Sequence, residues 1–471
     1  MSEWVLIEGG DVFDADHPEW KKATNVLVEG TRIAAVGPTA TADAVPRGES
    51  LGIIDARGRT VLPGLIDAHC HLTYGDSRTQ EEQDLYTGVE ARTLRTAYNA
   101  RRVLRSGVTS ISQPGGSYYI GIAVRDAIAA GMVVGPRMTS AGRYLSTSNS
   151  LTDYYPDHGT KPDGGVGVLT NTIHEMTNEI RHQVKNGVDL IKLADSPYGQ
   201  YQAFTNEELK RVTDLVHQLK KKVTIHARGS AEVDASIDAG VDWIMHGNVM
   251  TDDVIEKLAA SKIPLVPTLL LLGNFADYGD LVGAPRGQRD GCRRMLEKTA
   301  PTLHKAHEAG VTFVMGTDAG FSVTPYGEWH ARELALLMQY AGLSAHEAIL
   351  AGTVNAAPMV GLEGRVGEIA PGYLADVIVV DGDPLADINV LVDRRRITHV
   401  LKGGQEVDLH ETLDWWPHER AQVFSVADLT YDYVFGEGGV RDESLPWREE
   451  EARDLLHDME GASSTARIAG Y

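Results

Sequence analysis

Cysteine, basic residues and long apolar runs are all scarce in this chain of 471 residues. The two cysteines, Cys70 and Cys292, are too few for a disulfide framework, so we expect a reducing compartment, with the cytoplasm as the default location. Lys and Arg total 44 against 66 Asp and Glu, which gives a formal charge of -22. Because such a charge repels nucleic acid and anionic lipid surfaces, neither is expected as a partner.

Segments that would place the chain in a membrane are also missing from the sequence. A spanning helix needs roughly 20 consecutive apolar residues, and no such run occurs. The apolar run from Ile263 to Gly273 is short and contains Pro264 and Pro267. The first residues lack the basic and apolar parts of a signal peptide, so we expect no membrane partner.

The apolar pattern divides the sequence into β-rich ends and an alternating middle. Residues 1 to about 60 contain short strand candidates separated by Gly, Pro and Asp, and β character returns at 367–381 and 397–402. In the middle, short apolar runs alternate with helical segments, which is typical of parallel strands covered by helices. The apolar runs are 64–72, 108–112, 137–142, 188–194, 222–227, 241–247, 263–268 and 311–317.

This organisation predicts an α/β fold, a (β/α)₈ TIM barrel with a small β-sandwich domain built from the N-terminal and post-barrel segments. The expected parts are residues 1–61 and 361–410 for the sandwich, 62–360 for the barrel and 411–471 for a C-terminal extension. The acidic segment 448–453 in this extension indicates either a subunit-packing or covering arm or a solvated helix.

Two histidines separated by one residue, His69 and His71, close the first apolar run of the middle region. Alternate side chains of a strand share a face, so two imidazoles would leave this strand end side by side. A single buried histidine is usually a hydrogen-bonded core residue, but the pair favours a metal site. Cys70 between them should face the other way, in a packing role.

Four further ligand candidates follow other predicted strands at their C-terminal ends, where catalytic groups of such barrels gather. They are Lys192, His226, His246 and Asp318. Each alone has an ordinary explanation, as a core histidine, a helix cap or a lysine whose amine reaches solvent. Six candidates at five strand ends are hard to ascribe to chance, so together they predict a metal centre.

These motifs resemble those of the amidohydrolase superfamily, the metal-dependent barrel hydrolases with H-x-H on strand one. The resemblance covers most of the chain and includes Leu62-Pro-Gly-Leu-Ile-Asp-Ala-His69, Gly316-Thr-Asp-Ala-Gly320 and Gly372-Tyr-Leu-Ala-Asp-Val377. With Lys192 on strand four, the chain is similar to the binuclear branch that contains Xaa-Pro dipeptidases, ochratoxin-type amidases and urea or carbamate hydrolases.

The resemblance implies a centre of two divalent ions whose ligands are the six candidates. Lys192 would be carboxylated by carbon dioxide, and the carbamate would bridge the ions. His69, His71 and Asp318 would hold the more buried ion, and the other two histidines the more exposed one. Zinc suits these ligands, with manganese, cobalt and iron as alternatives.

The implied centre would be catalytic. Two ions contribute four positive charges against three negative charges from the carbamate, Asp318 and a bridging hydroxide, so a net positive charge remains to acidify water and polarise a carbonyl. Lys192 would then be a catalytic residue through its carbamate. Asp318 is the expected general base, which takes a proton as the hydroxide attacks and delivers it to the departing nitrogen.

Substrate contacts are indicated less directly. Arg228 lies two residues beyond His226 and could hold a substrate carboxylate or carbonyl, with an ion pair or a helix contact as the alternative. Tyr74 and Tyr144 follow strands one and three, where loops supply binding groups, although Tyr144 could equally be a packing residue. His330, after strand eight, could support the ligands from behind or lie on an exposed helix face.

One departure from the resemblance bears on the substrate. Prolidase-like relatives carry Gly-Gly-His after strand three, whereas this chain has Gly142-Arg-Tyr144. The sequence therefore favours cleavage of an amide, urea or (thio)carbamate C–N bond in a small molecule, with an Xaa-Pro-type dipeptidase or carboxypeptidase as the alternative. A non-enzymatic scaffold protein of this fold is a third hypothesis, against which all six ligand candidates argue. The resemblance also implies a homo-oligomer.

Overall fold

The computed structural model describes residues 4–159, 162–409, 429 and 431–436, and these form an α/β structure with three sheets. None of the described helices is both long enough and apolar enough to cross a membrane. The predicted extension at 411–471, with its acidic segment, lies mostly outside the described residues.

The strands are short, and those of the middle region are buried along nearly their whole length, as expected for strands covered on both faces. In chain order they are β1 Trp4–Val12, β2 Lys21–Glu29, β3 Arg32–Val36, β4 Leu51–Asp55, β5 Thr60–Pro63, β6 Leu65–Asp67, β7 Val108–Gln113, β8 Arg137–Ser140, β9 Tyr144–Ser146, β10 Gly167–Leu169, β11 Leu190–Ala194, β12 Lys222–Gly229, β13 Trp243–Val249, β14 Leu265–Val266, β15 Val377–Val380, β16 Ile397–Lys402 and β17 Gln405–Glu406.

The helices bury one apolar stripe against these strands, and several begin at a Ser or Thr whose side chain accepts a backbone N–H. In chain order they are α1 Gln80–Asp84, α2 Val89–Arg105, α3 Ile120–Ala129, α4 Ile173–Lys185, α5 Asn206–Gln218, α6 Ser230–Ala239, α7 Asp252–Ser261, α8 Leu269–Tyr278, α9 Arg286–Glu308, α10 Arg332–Ala341, α11 Ala345–Ala351 and α12 Tyr431–Phe435.

One eight-stranded sheet joins the two β-rich parts of the chain. Its order is β17-β16-β15-β5-β1-β2-β3, and β4 pairs with β1. β15 runs antiparallel to β5, with Val377 opposite Pro63, so the prediction that this segment rejoins the N-terminal strands is confirmed. The described strands form a single sheet here, and the predicted β-sandwich is not confirmed. The domain boundaries remain a prediction.

The strands of the middle region form two parallel sheets, of order β10-β9-β11-β12-β13-β14 and β6-β7-β8. In the first, Ala194 at the end of β11 pairs with His226 on β12, and Ala227 pairs with His246 on β13. This register brings the carboxyl ends of three neighbouring strands to one edge. A closed barrel is not confirmed by these sheets alone.

The last two predicted strands of the middle region are shorter than expected. Pro264 and Pro267 flank β14 and cannot donate ladder hydrogen bonds, which limits it to two residues. Residues 311–317 form no named strand, and only a parallel bridge from Leu265 to Phe313 marks the expected position. The backbone of Asp318 is left-handed there (φ 56°), which is incompatible with extended structure.

Candidate metal centre

The structure brings all six predicted ligands together. Lys192, His226 and His246 lie on β11, β12 and β13, while His69 and His71 follow β6 and Asp318 follows the residues that replace strand eight. All are buried, and five of them line one cleft. The sixth, His71, contacts Asp318 directly.

We call His69, His71 and Asp318 the inner trio, because their donor atoms nearly touch. The two imidazole Nε2 atoms lie 3.0 Å apart, and Asp318 Oδ1 lies 3.4 Å from that of His69 and 3.2 Å from that of His71. Although the histidines were expected on a strand, β6 ends before them because the Asp67 carboxylate accepts the His69 backbone N–H at 3.0 Å. The imidazoles still lie side by side.

Hydrogen bonds at the other ring nitrogen orient both imidazoles of the inner trio. His71 Nδ1 lies 2.8 Å from the Gly115 carbonyl oxygen, which can only accept, so this nitrogen carries the proton. His69 Nδ1 lies 3.1 Å from Thr268 Oγ1, and that hydroxyl donates onward to the Val266 carbonyl, so His69 is protonated at Nδ1 as well. Both Nε2 atoms therefore present lone pairs to Asp318.

The converging donor atoms of the inner trio are suited to binding a divalent cation. Two lone pairs and a carboxylate oxygen converge without a proton between His69 and Asp318, which is a repulsive arrangement unless a positive charge lies among them. Burial lowers the pKa of His69 well below its usual value, so an imidazolium does not supply that charge. Burial alone would raise the pKa of Asp318, and only positive charge on His69, His71 or Lys192 outweighs this effect and lowers that pKa, so an ionised carboxylate here requires a cation beside it.

We call Lys192, His226 and His246 the outer trio. The rings of the two histidines lie 4.4 Å apart between centroids, and His226 Nε2 donates to the Ser196 carbonyl at 3.1 Å, which leaves Nδ1 with a lone pair. His246 Nδ1 is buried and has no hydrogen-bond partner among the described residues. Such orphaned nitrogens also fit a metal ion.

Burial dominates the electrostatics of the outer trio. It lowers the pKa of His226 and His246 well below the usual value and that of Lys192 to about 7. The Lys192 amine contacts the Met245 sulfur, not a carboxylate. The two imidazoles are therefore neutral near pH 7, and a large share of the Lys192 amine is uncharged there.

The backbone is left-handed at three positions in or beside the candidate ligands, which changes the direction of the side chains there. His246, Thr268 and Asp318 have φ of 77°, 58° and 56°, values that non-glycine residues rarely adopt. All three are in or against the inner or outer trio. Such backbone strain persists only where surrounding contacts enforce it, and it concentrates at functional sites.

Asp67, which the sequence reasoning missed, supports the inner trio from behind. Its carboxylate accepts from the backbone N–H of Thr317 at 3.1 Å as well as from His69, and it is fully buried. His330 Nδ1 lies 2.7 Å from Asp67 Oδ2, while its Nε2 accepts from the Gly327 N–H, so Nδ1 is the donor. His330 therefore lies behind the ligands and is not on an exposed helix face.

A second support runs through Thr268 and was also missed. Glu333, fully buried at the start of α10, accepts the backbone N–H groups of Leu269 and Leu270 at 3.0 and 2.6 Å. It thereby holds the chain next to Thr268, whose hydroxyl orients His69. The spacing of Asp67 and His69 indicates the support from Asp67, whereas no local sequence pattern indicates the support from Glu333.

The three predicted substrate residues all line the cleft. The Tyr74 ring stacks on the His71 ring at 4.3 Å, and its hydroxyl bonds to that of Tyr144. Tyr144 Oη lies 3.0 Å from His71 Nε2, at the edge of the inner trio. Arg228 is buried, and its guanidinium donates to Asn248 Oδ1 at 2.7 Å.

Other cleft residues come from α1 and from loops, and the sequence reasoning did not single them out. They give the wall an apolar and aromatic character with two amides at one side, and they are Gln80, Gln83, Leu151, Thr152, Tyr154, Val166 and Phe321. A small organic molecule with an apolar part therefore suits this cleft.

Comparison with known proteins agrees with the geometry. The model of the amidohydrolase family matches residues 60–407. Ochratoxinase of Aspergillus niger is 28% identical over 371 residues, which cover 73% of this chain and 75% of that protein. Imidazolonepropionase of Chloroflexus aggregans is 24% identical over 420 residues, covering 82% and 91%. A solved Xaa-Pro dipeptidase with methionine in its active site has a TM-score of 0.74 and 27% identity, over 86% of this chain and 99% of that one.

The buried His, Lys and Asp side chains form a site of the kind that metal-dependent hydrolases have, on a fold of the TIM-barrel type. The chain belongs to the amidohydrolase family, and it is a hydrolase of amide-type C–N bonds. The predicted membership of the amidohydrolase superfamily is thus confirmed, and the hypothesis of a non-enzymatic scaffold protein has no support.

Proposed function

We propose that the chain hydrolyses an amide, urea or (thio)carbamate C–N bond of a small molecule, using two divalent ions held by the inner and outer trios. The observation that carries the proposal is the convergence of the His69 and His71 Nε2 atoms, 3.0 Å apart, on the Asp318 carboxylate, from which they lie 3.4 and 3.2 Å. Zinc is the ion that best suits neutral imidazoles and carboxylate, with manganese, cobalt or iron as alternatives.

The ions would be held by His69, His71 and Asp318 on one side and by His226 and His246 on the other. Lys192, as a carbamate, would lie between them, and its buried, uncharged amine is the form that reacts with carbon dioxide. Bound ions would supply Lewis acidity, which acidifies water and polarises a carbonyl.

The chain's own residues would then perform the proton transfers and hold the substrate. Asp318 Oδ would accept the proton of the attacking water and deliver it to the leaving nitrogen. Tyr144 and Tyr74 would orient the substrate carbonyl, and Arg228 would hold an oxygen further along the cleft. The aromatic walls exclude bulk water from the reacting bond.

We also propose that the parallel sheets close into one (β/α)₈ barrel. Backbone hydrogen bonds between the sheets support closure, from Asp189 N to Ser140 O, from Leu265 N to Thr312 O and from Ala68 N to Met315 O, each 2.9 Å. A homo-oligomer in the cytoplasm that acts on a small molecule, and on neither nucleic acid nor membrane, completes the proposal.

A substrate panel with metal analysis tests this function. We expect about two equivalents of transition metal per chain by elemental analysis, and amine release from at least one amide, urea or carbamate. Chelator treatment should remove both the metal and the activity, and added zinc should restore them. A chain with no bound metal that still releases amine would contradict the proposal.

An Xaa-Pro-type dipeptidase or carboxypeptidase is the second candidate. Arg228 in the cleft favours it, because a guanidinium can bind a substrate carboxylate with two hydrogen bonds. The same panel decides between the two, since dipeptides would then be turned over faster than uncharged amides. Replacing Arg228 with Gln should raise KM for a dipeptide much more than KM for an uncharged amide, because only the dipeptide loses a pairing of opposite charges.

A further inference from the structure

Glu232 stands at the third position of α6, where a glutamate ordinarily caps its own helix. Two other helices show the ordinary case. Glu208 of α5 accepts from the backbone N–H and hydroxyl of Thr205 at 2.8 and 3.0 Å, and Glu347 of α11 accepts from the same two groups of Ser344. Both bond to their own N-cap residue at the surface.

Glu232 differs from these two in burial and in reach. It is fully buried, and Oε2 accepts the backbone N–H groups of Arg228 and Gly229 at 2.6 and 2.7 Å. Oε1 accepts the backbone N–H of Ser196 at 3.0 Å and the Ser196 hydroxyl at 2.5 Å. Since Ser196 follows β11 and Arg228 lies on β12, one carboxylate joins two strand ends.

The Ser196 carbonyl oxygen accepts a hydrogen bond from His226 Nε2 at 3.1 Å. Its position is further limited by a close backbone approach, because a Cβ at Gly229 would lie 2.1 Å from the Gly199 carbonyl oxygen. A displaced Ser196 would release His226 to rotate or to change its protonated nitrogen. Burying a carboxylate is costly without partners, and the four donors offset that cost.

We infer that Glu232 is a positioning residue of the metal centre: by holding Ser196 and the end of β12 together, it keeps the His226 Nδ1 lone pair directed at the metal and Arg228 directed at the substrate. The inference rests on the proposed function for its consequence but not for its geometry. A helix cap alone would give Glu232 no effect beyond stability.

The test compares Glu232→Asp with Glu208→Asp in the full-length protein. Aspartate keeps a negative charge in the first helical turn but is too short to join both strand ends, so the cap is retained while the bridge is lost. We expect zinc titration to show the weaker of two ions bound about 10–100-fold less tightly in Glu232→Asp, with Glu208→Asp within about twofold of the parent chain. Ser196→Ala, which removes the hydroxyl that donates to Glu232 and accepts the Gly199 N–H at 2.9 Å, should weaken binding of that ion by about fivefold.

A second readout does not depend on metal. In the metal-free chain, ¹⁵N NMR of labelled histidine should find His226 protonated at Nε2, with the resonance assigned from its loss in His226→Asn. Glu232→Asp should shift His226 toward a mixture of tautomers, and Glu208→Asp should not. Unchanged zinc affinity and an unchanged tautomer in Glu232→Asp would overturn the inference while leaving the proposed function intact. A parent chain that binds no zinc would defeat the proposed function, and the tautomer comparison would still decide the role of Glu232.

Discussion

The two halves of the candidate centre are built differently. In the inner trio, donor atoms lie 3.0 to 3.4 Å apart, and acceptors at Gly115 and Thr268 set the proton of each imidazole. In the outer trio, only His226 has such an acceptor, His246 Nδ1 has no partner among the described residues, and the Lys192 amine contacts a sulfur.

The difference shows which half the polypeptide assembles by itself. The inner trio is already preorganised by buried hydrogen bonds to neighbouring strands, so an ion there would need little rearrangement. The outer trio consists of two imidazoles and an amine, so it would gain a negative ligand only through the proposed carboxylation of Lys192. Its assembly should therefore depend on carbon dioxide and on metal, and the inner site should retain metal longer.

Removing Lys192 should have the largest effect on this comparison. Lys192→Ala would delete the proposed bridging carbamate, and bound metal ions contribute several kcal/mol to such catalysis, so we expect turnover to fall by about 10³-fold or more. Elemental analysis should find about one metal ion instead of two, while circular dichroism stays unchanged because the barrel core does not depend on the pocket.

His226→Ala should behave in the same way, and Lys257→Ala on the surface should retain full activity. Parent-like turnover by Lys192→Ala or His226→Ala in metal-free buffer would contradict the binuclear proposal.

Removing His330 should weaken the inner trio by an intermediate amount. His330→Ala takes away the donor to Asp67, which holds the backbone of His69, so we expect zinc at the inner trio to bind about 10–100-fold more weakly. Competition with a chromophoric chelator measures this affinity.

His217→Ala is the matched control, since His217 forms a similar pair with Asp242 at 2.9 Å but lies at the surface. If both variants bound zinc as the parent chain does, the supporting role of His330 would be wrong.

Tyr144→Phe should have the smallest effect. It removes one hydroxyl near His71 and leaves the ring in place, so the loss of one hydrogen bond predicts about a fivefold fall in kcat/KM with unchanged metal content. Steady-state kinetics measures it. A fall as large as that of Lys192→Ala would mean that the tyrosine takes part in proton transfer and does not merely orient substrate.

Much of the fold could be predicted because its local signals are strong. The N-terminal strands follow the apolar pattern, and α5 begins at the cap that Thr205 and Glu208 form, so both agree with the structure. The apolar run 263–273 gave no helix prediction, yet its last residues begin α8, where buried Glu333 of α10 accepts the first backbone N–H groups. Short strands β9 and β10 were missed, since their pairing partners lie far away in sequence.

The order of residues determined which chemistry is available, because it places histidines, a lysine and an aspartate at the ends of apolar runs. Its motifs also identify the family. Only the tertiary structure decided how those groups are held, because orientation comes from Asp67, Thr268, Ser196 and Glu232, which act through contacts between separate strands. A side chain's identity is local, whereas the direction of its lone pair depends on whatever acceptor the fold places behind it.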